Sequence, residues 1–141
     1  MASFAVYDLK KYFNNLAATN AIYTTFGASL VMGRNLFLFT EPPTATVCMT
    51  LIPYSGPPPE PDKLRFESSV QIRLKTKSPR KTMETLQDVI NRFHENATIC
   101  ASYCTGMIYA NQSNPMLIDI SEGGEFYIGV CNFNIKHIKA T

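Results

Sequence analysis

Net charge is nearly absent: thirteen Lys and Arg against eleven Asp and Glu leave +2 at pH 7, a balance that singles out neither nucleic acid nor a membrane surface as partner. Long apolar runs are missing too. Arg34 and Asn35 break the longest candidate well short of the about 20 residues that a bilayer-spanning helix needs, which excludes a transmembrane helix. Asp8, Lys10 and Lys11 interrupt the place where a secretory h-region would sit, so a cytosolic, reducing birthplace is expected. Cysteines are few and scattered, at 48, 100, 104 and 131, and a chain of this length builds its core without staples. Free thiols are therefore expected. Cys100 and Cys104 are spaced to share a helical face, but with His94 and His137 they match no zinc-ligand spacing, so no metal is expected. Without a secretory route, Asn96-Ala97-Thr98 and Asn111-Gln112-Ser113 carry no meaning as glycosylation acceptors.

Catalytic constellations are lacking as well. His94 falls inside a helical pattern and His137 near the C-terminus, and neither is marked as the partner of a nucleophile. No G-x-G-x-x-G or P-loop pattern occurs, and Gly123-Gly124 reads as a turn that needs positive φ. Glu122 and Glu125 flank that turn as solvated acids. No catalytic residue, cofactor site or enzymatic activity is expected.

What the chain does have is apolar material: 141 residues that are 45% hydrophobic and 11% aromatic suffice for one domain around one core. Leu9, Phe13 and Leu16 form an apolar stripe on a helix from Tyr7 to about Ala18. Gly27 and Gly33 bracket a turn region. The continuous run Leu36-Phe37-Leu38-Phe39 predicts a strand covered on both faces, ended by Glu41-Pro42-Pro43. Val47, Met49 and Leu51 alternate with Thr46, Cys48 and Thr50 in a second strand. Residues 66–75 alternate strictly, with Phe66, Ser68, Val70, Ile72 and Leu74 on one parity. Ser78 and Pro79 supply an N-cap and a first-turn proline for a helix carrying Met83, Leu86, Ile90, Phe93 and Ala97 on one face. Met107 to Tyr109 open a strand, Asn111 to Pro115 turn, and Leu117, Ile118 and Ile120 extend it. In the last strand Phe126, Ile128 and Val130 share one parity while Cys131, Phe133 and Ile135 have the other, which means either burial on both faces or a bulge near Cys131. The order predicts one α+β two-layer domain spanning 1–141, with two helices on one face of the sheet and the other face open.

Two surface features remain. Lys63, Arg65, Arg73, Lys75, Lys77, Arg80 and Lys81 hold seven of the thirteen positive charges. Arg73, Lys75 and Lys77 would form a row on the open sheet face, suited to acidic protein surface; Ser69 and Gln71 stand where a single-strand binder would place aromatics. Residues 53–63 form a proline-rich arm whose pre-extended backbone loses little entropy on docking.

Several of these segments together resemble one family. They are Gly33-Arg34-Asn35-Leu36-Phe37-Leu38 ahead of Pro42-Pro43, the Ser55-Gly56-Pro57-Pro58 loop, Ser69-Val70-Gln71-Ile72-Arg73-Leu74-Lys75, the helix opening after Ser78, and Phe126-Tyr127-Ile128-Gly129 running to Phe133-Asn134-Ile135. In that order, over about residues 5 to 138, the chain resembles the tail terminator, or minor capsid, proteins of long-tailed bacteriophages, the lambda-type tail terminator included. The resemblance implies a mixed, mainly antiparallel sheet with two helices, in a structural virion protein, assembled in the host cytoplasm, that forms a homo-hexameric ring at the head–tail junction. Such a ring caps the tail tube, stops its polymerisation and joins it to the head connector or completion protein, while DNA passes through without sequence-specific binding. On that reading Tyr54, Pro57, Pro58, Pro59, Arg73, Lys75 and Lys77 are expected at a subunit or partner interface. The competing expectations are a cytosolic α+β binding module for RNA or a small ligand, and a phage head-completion protein.

Overall fold

Ser78 opens a helix as its spacing predicts. Its side chain accepts a hydrogen bond from the Lys81 amide, and Pro79 takes the first helical position, where its missing N–H costs nothing. The computed structural model, which describes residues 5–42, 46–54, 65–95, 108–120 and 125–138, contains helices α1 (Ala5–Asn14), α2 (Ala21–Phe26) and α3 (Pro79–Phe93). Its strands are β1 (Leu36–Leu38), β2 (Cys48–Tyr54), β3 (Arg65–Thr76), β4 (Ile108–Ala110), β5 (Met116–Ile120) and β6 (Tyr127–Ile138). The strands form one sheet in the order β1-β2-β3-β6-β4, with β5 also paired to β6. Only β1 and β2 run parallel. The α+β class is thus observed, with a mixed, mostly antiparallel sheet.

One face of the sheet carries the helices. Met49 and Leu51 of β2, Val70, Ile72 and Leu74 of β3, and Cys131, Phe133 and Ile135 of β6 join Val6, Leu9 and Phe13 of α1 and Leu86, Val89, Ile90 and Phe93 of α3 in one buried core. Phe93 lies at its centre, with ring centroids 5.4 Å from both Phe13 and Phe133 and 5.3 Å from Tyr12, distances at which aromatic pairs add to their burial energy. The Tyr12 hydroxyl accepts from Asn20 Nδ2 and Arg92 Nε, tying the three helices together.

Three local expectations are corrected, and a fourth, left between two readings, is decided. The first helix ends at Asn14 rather than Ala18, because Asn14 Oδ1 is engaged by the Met32 amide and Asn15 Nδ2 caps the Lys11 carbonyl; Leu16 packs on the core from the turn. A third helix, α2, lies before the glycines: Asn20 caps its start and Gly27, at φ 85°, its end. The Leu36–Phe39 run is an edge strand that is only partly covered: β1 pairs with β2 alone, Leu36 is buried but Phe37 and Leu38 are half-buried, and Phe39 leaves it at φ 71°, half exposed. Finally, β6 runs against β3 over twelve residues without a register shift. Its change of parity reflects burial on both faces, with Ile128 and Val130 buried on the side away from the helices.

Pro53 illustrates how the sheet tolerates a missing donor. Met49 N–H bonds Asn35 O and Leu51 O accepts from Phe39 N–H, so odd-numbered residues of β2 direct their backbone groups toward β1. Pro53 shares that parity and lies past the end of β1, where no ladder bond is lost. Pro53 and Tyr54, expected in the proline-rich arm, are instead paired with Val70 and Ser69 at the end of β2; the remaining residues expected in the arm, with Pro57, Pro58 and Pro59, lie outside the described residues, as do Cys100, Cys104 and Gly123-Gly124.

Candidate assembly surface

No described helix covers the second face of the sheet, and alternation places Cys48 and Thr50 of β2, Ser69, Gln71, Arg73 and Lys75 of β3, and Ile128, Val130, Asn132 and Asn134 of β6 on it. Register brings Arg73 between Thr50 and Val130, and Lys75 between Cys48 and Ile128. Two cross-strand hydrogen bonds, Ser69 Oγ to Asn134 Oδ1 at 2.9 Å and Gln71 Nε2 to Asn132 Oδ1 at 3.2 Å, satisfy the polar half. The other half is not open. Cys48, Thr50, Ile128 and Val130 are all buried, and the segment after β1 contributes Glu41, whose carboxylate accepts from the Thr50 hydroxyl at 3.0 Å.

The basic row therefore behaves differently residue by residue. Lys75 places its ammonium 5.1 Å from the Phe126 ring centroid, a cation–π distance. Arg73 is half-buried, and its Nε is buried without a hydrogen-bond partner. Lys77 follows the end of β3 and is exposed. Tyr54 closes β2 opposite Ser69. Burial pushes the Cys48 thiol up, the Glu41 carboxylate adds to the rise, and Lys75 and Arg73 pull the other way, so this corner senses both signs of charge.

Elsewhere the chemistry is structural. His94 caps α3, and its Nδ1 accepts from the Ala110 amide at 3.0 Å beside an open hollow of about 400 Å³ lined by Asn91 and residues 110–113. Among the described residues no group of three His, Cys, Asp or Glu gathers as a metal site, and no helix is long and apolar enough to cross a membrane.

Sequence reasoning missed the sheet edges. Val31, Met32 and Phe39 flank β1 and are exposed. At the opposite edge Met116, Leu117, Ile118 and Ile120 of β5 are exposed as well. The signal lay in the lack of alternation in 116–120, which reads equally well as a doubly buried strand.

Among the described residues the surface offers faces and edges and no cluster of reactive groups. The family model for bacteriophage tail terminator proteins matches residues 24–137. The chain belongs to that family. As a tail terminator family member it is a structural protein of the phage tail and a virion component. No curated protein matches the chain. The family match starts inside α2, yet α1 ahead of it supplies Val6, Leu9 and Phe13 to the core of this tail terminator.

Proposed function

We propose that the protein assembles into a ring, of six copies as the resemblance implies, that caps the phage tail tube, stops tube polymerisation and joins the tail to the head connector. The observation that carries this reading is the tail terminator match over residues 24–137. A cap works by shape: it must bind the growing end and offer no site for the next tube subunit, which needs complementary surface and no catalytic group. On this reading Arg73, Lys75 and Lys77 meet acidic surface on a neighbouring virion protein, and the proline segment that follows Tyr54 at the end of β2, with Pro57, Pro58 and Pro59, reaches an adjacent copy or a tail protein. A basic row turned to the lumen would instead grip passing phosphates and slow DNA transit.

The test is tube length. Purified tail tube protein is polymerised with and without the chain and measured by electron microscopy. Short tubes with a density at one end are expected; lengths unchanged at molar excess of the chain would refute capping. Reversing Arg73 and Lys75 to Glu is expected to weaken the neighbour contact, and unchanged assembly of that variant by light scattering would remove both residues from it.

A further inference from the structure

The exposed large hydrophobics of the described residues are confined to two places, and these lie at opposite edges of one sheet. Val31, Met32 and Phe39 sit at the β1 edge. Met116, Leu117, Ile118 and Ile120 sit on β5, which pairs with β6 at the other end of the strand order. Apolar surface gathered in this way, instead of scattered singly, marks contact surface. Each patch also has an exposed charge among the described residues, and the signs are opposite: Arg34 beside β1 and Asp119 near the end of β5.

The backbone of the two edges differs as well. In β1, Asn35 O and Phe39 N–H bond to β2, so Leu36 and Leu38 direct their backbone groups outward. Three of those four groups are already satisfied: Leu36 N–H by Val31 O, Leu36 O by Gly33 N–H and Leu38 O by Thr40 N–H. This edge is blunted against strand addition. In β5, ladder bonds run to β6 alone among the described residues, and a register shift between Leu117 and Asp119 bends the strand.

We infer that the β5 edge of one copy seats its apolar side chains on the Val31–Met32–Phe39 patch of the next copy, with Asp119 facing Arg34. The inference rests on the proposed ring and names the surfaces that close it. The contact is heterologous: two different patches on opposite sides of one chain, the arrangement that generates rings when its rotation closes. Because the β1 edge is capped, the contact is made by side chains and not by a continuous sheet. Opposite charges at the two patches favour this head-to-tail pairing over β5 meeting β5, where two Asp119 carboxylates would approach each other.

Two double variants test this, each at exposed positions and each checked for native circular dichroism. Ile118→Glu with Ile120→Glu disables the β5 patch; Met32→Glu with Phe39→Glu disables the β1 patch. By light scattering, the unaltered chain is expected at several times the 15.8 kDa chain mass and each variant at the single-chain mass. An equimolar mixture of the two should give twice the chain mass and nothing larger, since each still holds one intact patch. A β1-patch variant that dimerises alone would show β5 meeting β5. That result overturns the inference, as does a mixture that stays at single-chain mass, a variant that keeps the wild-type mass, or an unaltered chain that stays single up to about 1 mM. Tube capping is scored separately. Variants that still cap at unchanged mass refute the edge contact and leave the capping reading intact, whereas edge-dependent assembly with uncapped tubes does the reverse.

Discussion

At Gly129 the side chains of α3 lie directly against the backbone of β6, and adding one methyl group there measures how tightly α3 is seated. A Cβ at this position would lie 2.8 Å from Thr82 Cγ2 and 2.9 Å from Leu86 Cδ1. Leu86 can turn its end away, but Thr82 is β-branched and stiff at χ1, with its hydroxyl 2.8 Å from the Thr76 hydroxyl and 3.3 Å from the Tyr127 carbonyl. Relieving the clash thus means breaking those contacts or lifting α3 from β6. Overpacking of this kind costs about 1–3 kcal/mol, offset by about 0.5–1 kcal/mol from the lower unfolded-state entropy of Ala. Gly129→Ala is therefore expected to lose about 1–2 kcal/mol in urea unfolding, a drop in Tm of about 3–7 °C for a domain of this size. Thr82→Ser keeps the hydroxyl and removes the offending methyl, so in that background Gly129→Ala should cost about 1 kcal/mol less, as contacting residues couple. A Gly129→Ala protein as stable as wild type, or costs that simply add in the double variant, would refute this account of the α3–β6 contact.

Three further expectations follow from single side chains. Ser78→Ala removes the bond to the Lys81 amide and should lower stability by about 1 kcal/mol, with Ser78→Asn restoring most of it by chemical denaturation. Thr85 Oγ1 is buried without a hydrogen-bond partner, so Thr85→Val should raise the unfolding free energy by about 1 kcal/mol; a loss would reveal an unrecognised partner. Burial raises the Cys48 and Cys131 thiols above their ordinary range. Both hold their protons more tightly folded than unfolded, so their stabilisation is complete below the unfolded thiol value of about 8.5 and falls as pH rises beyond it. Comparing wild type with Cys131→Ala from pH 7 to pH 10 should show the steeper alkaline loss in wild type; parallel curves would deny Cys131 that role.

How far the sequence could be read depended on whether the deciding partner was local. The strand at 65–76 and the helix at 79–93 carry their own patterns: strict alternation in one, and Ser78-Pro79 ahead of a 3-4-3-4 stripe in the other. Helix α2 was missed because Ala21-Ile22-Tyr23-Thr24-Thr25-Phe26 is too short for a stripe and rich in β-branched and aromatic residues. Only Asn20 and Gly27, spaced to cap one short helix, announced it. The burial of Ile128 and Val130 was undecidable locally, since it depends on Arg73 and Lys75 lying opposite them. Of the expected contact residues, Arg73 and Lys75 do share one face, as parity required, but the Phe126 ring beside Lys75 and the Glu41 carboxylate on Thr50, the cross-strand neighbour of Arg73, come from segments distant in sequence.

The same limit explains why the edges escaped notice, and it bears on function. A five-residue apolar strand such as Met116–Ile120 has one composition whether it is sealed inside a sheet or left at its rim, and only the strand order distinguishes the two. Once that order places it at the rim, its composition becomes costly for a solitary chain. At about 25 cal/mol per Å², leaving four large apolar side chains in water forgoes several kcal/mol that a neighbouring copy would recover. The β1 edge bears a second apolar patch but closes its backbone with the 31–35 turn and Thr40, which prevents both edges from growing sheet indefinitely. One open rim and one capped rim on a single chain favour association with a defined direction, and direction is what a closed ring needs and an aggregate lacks.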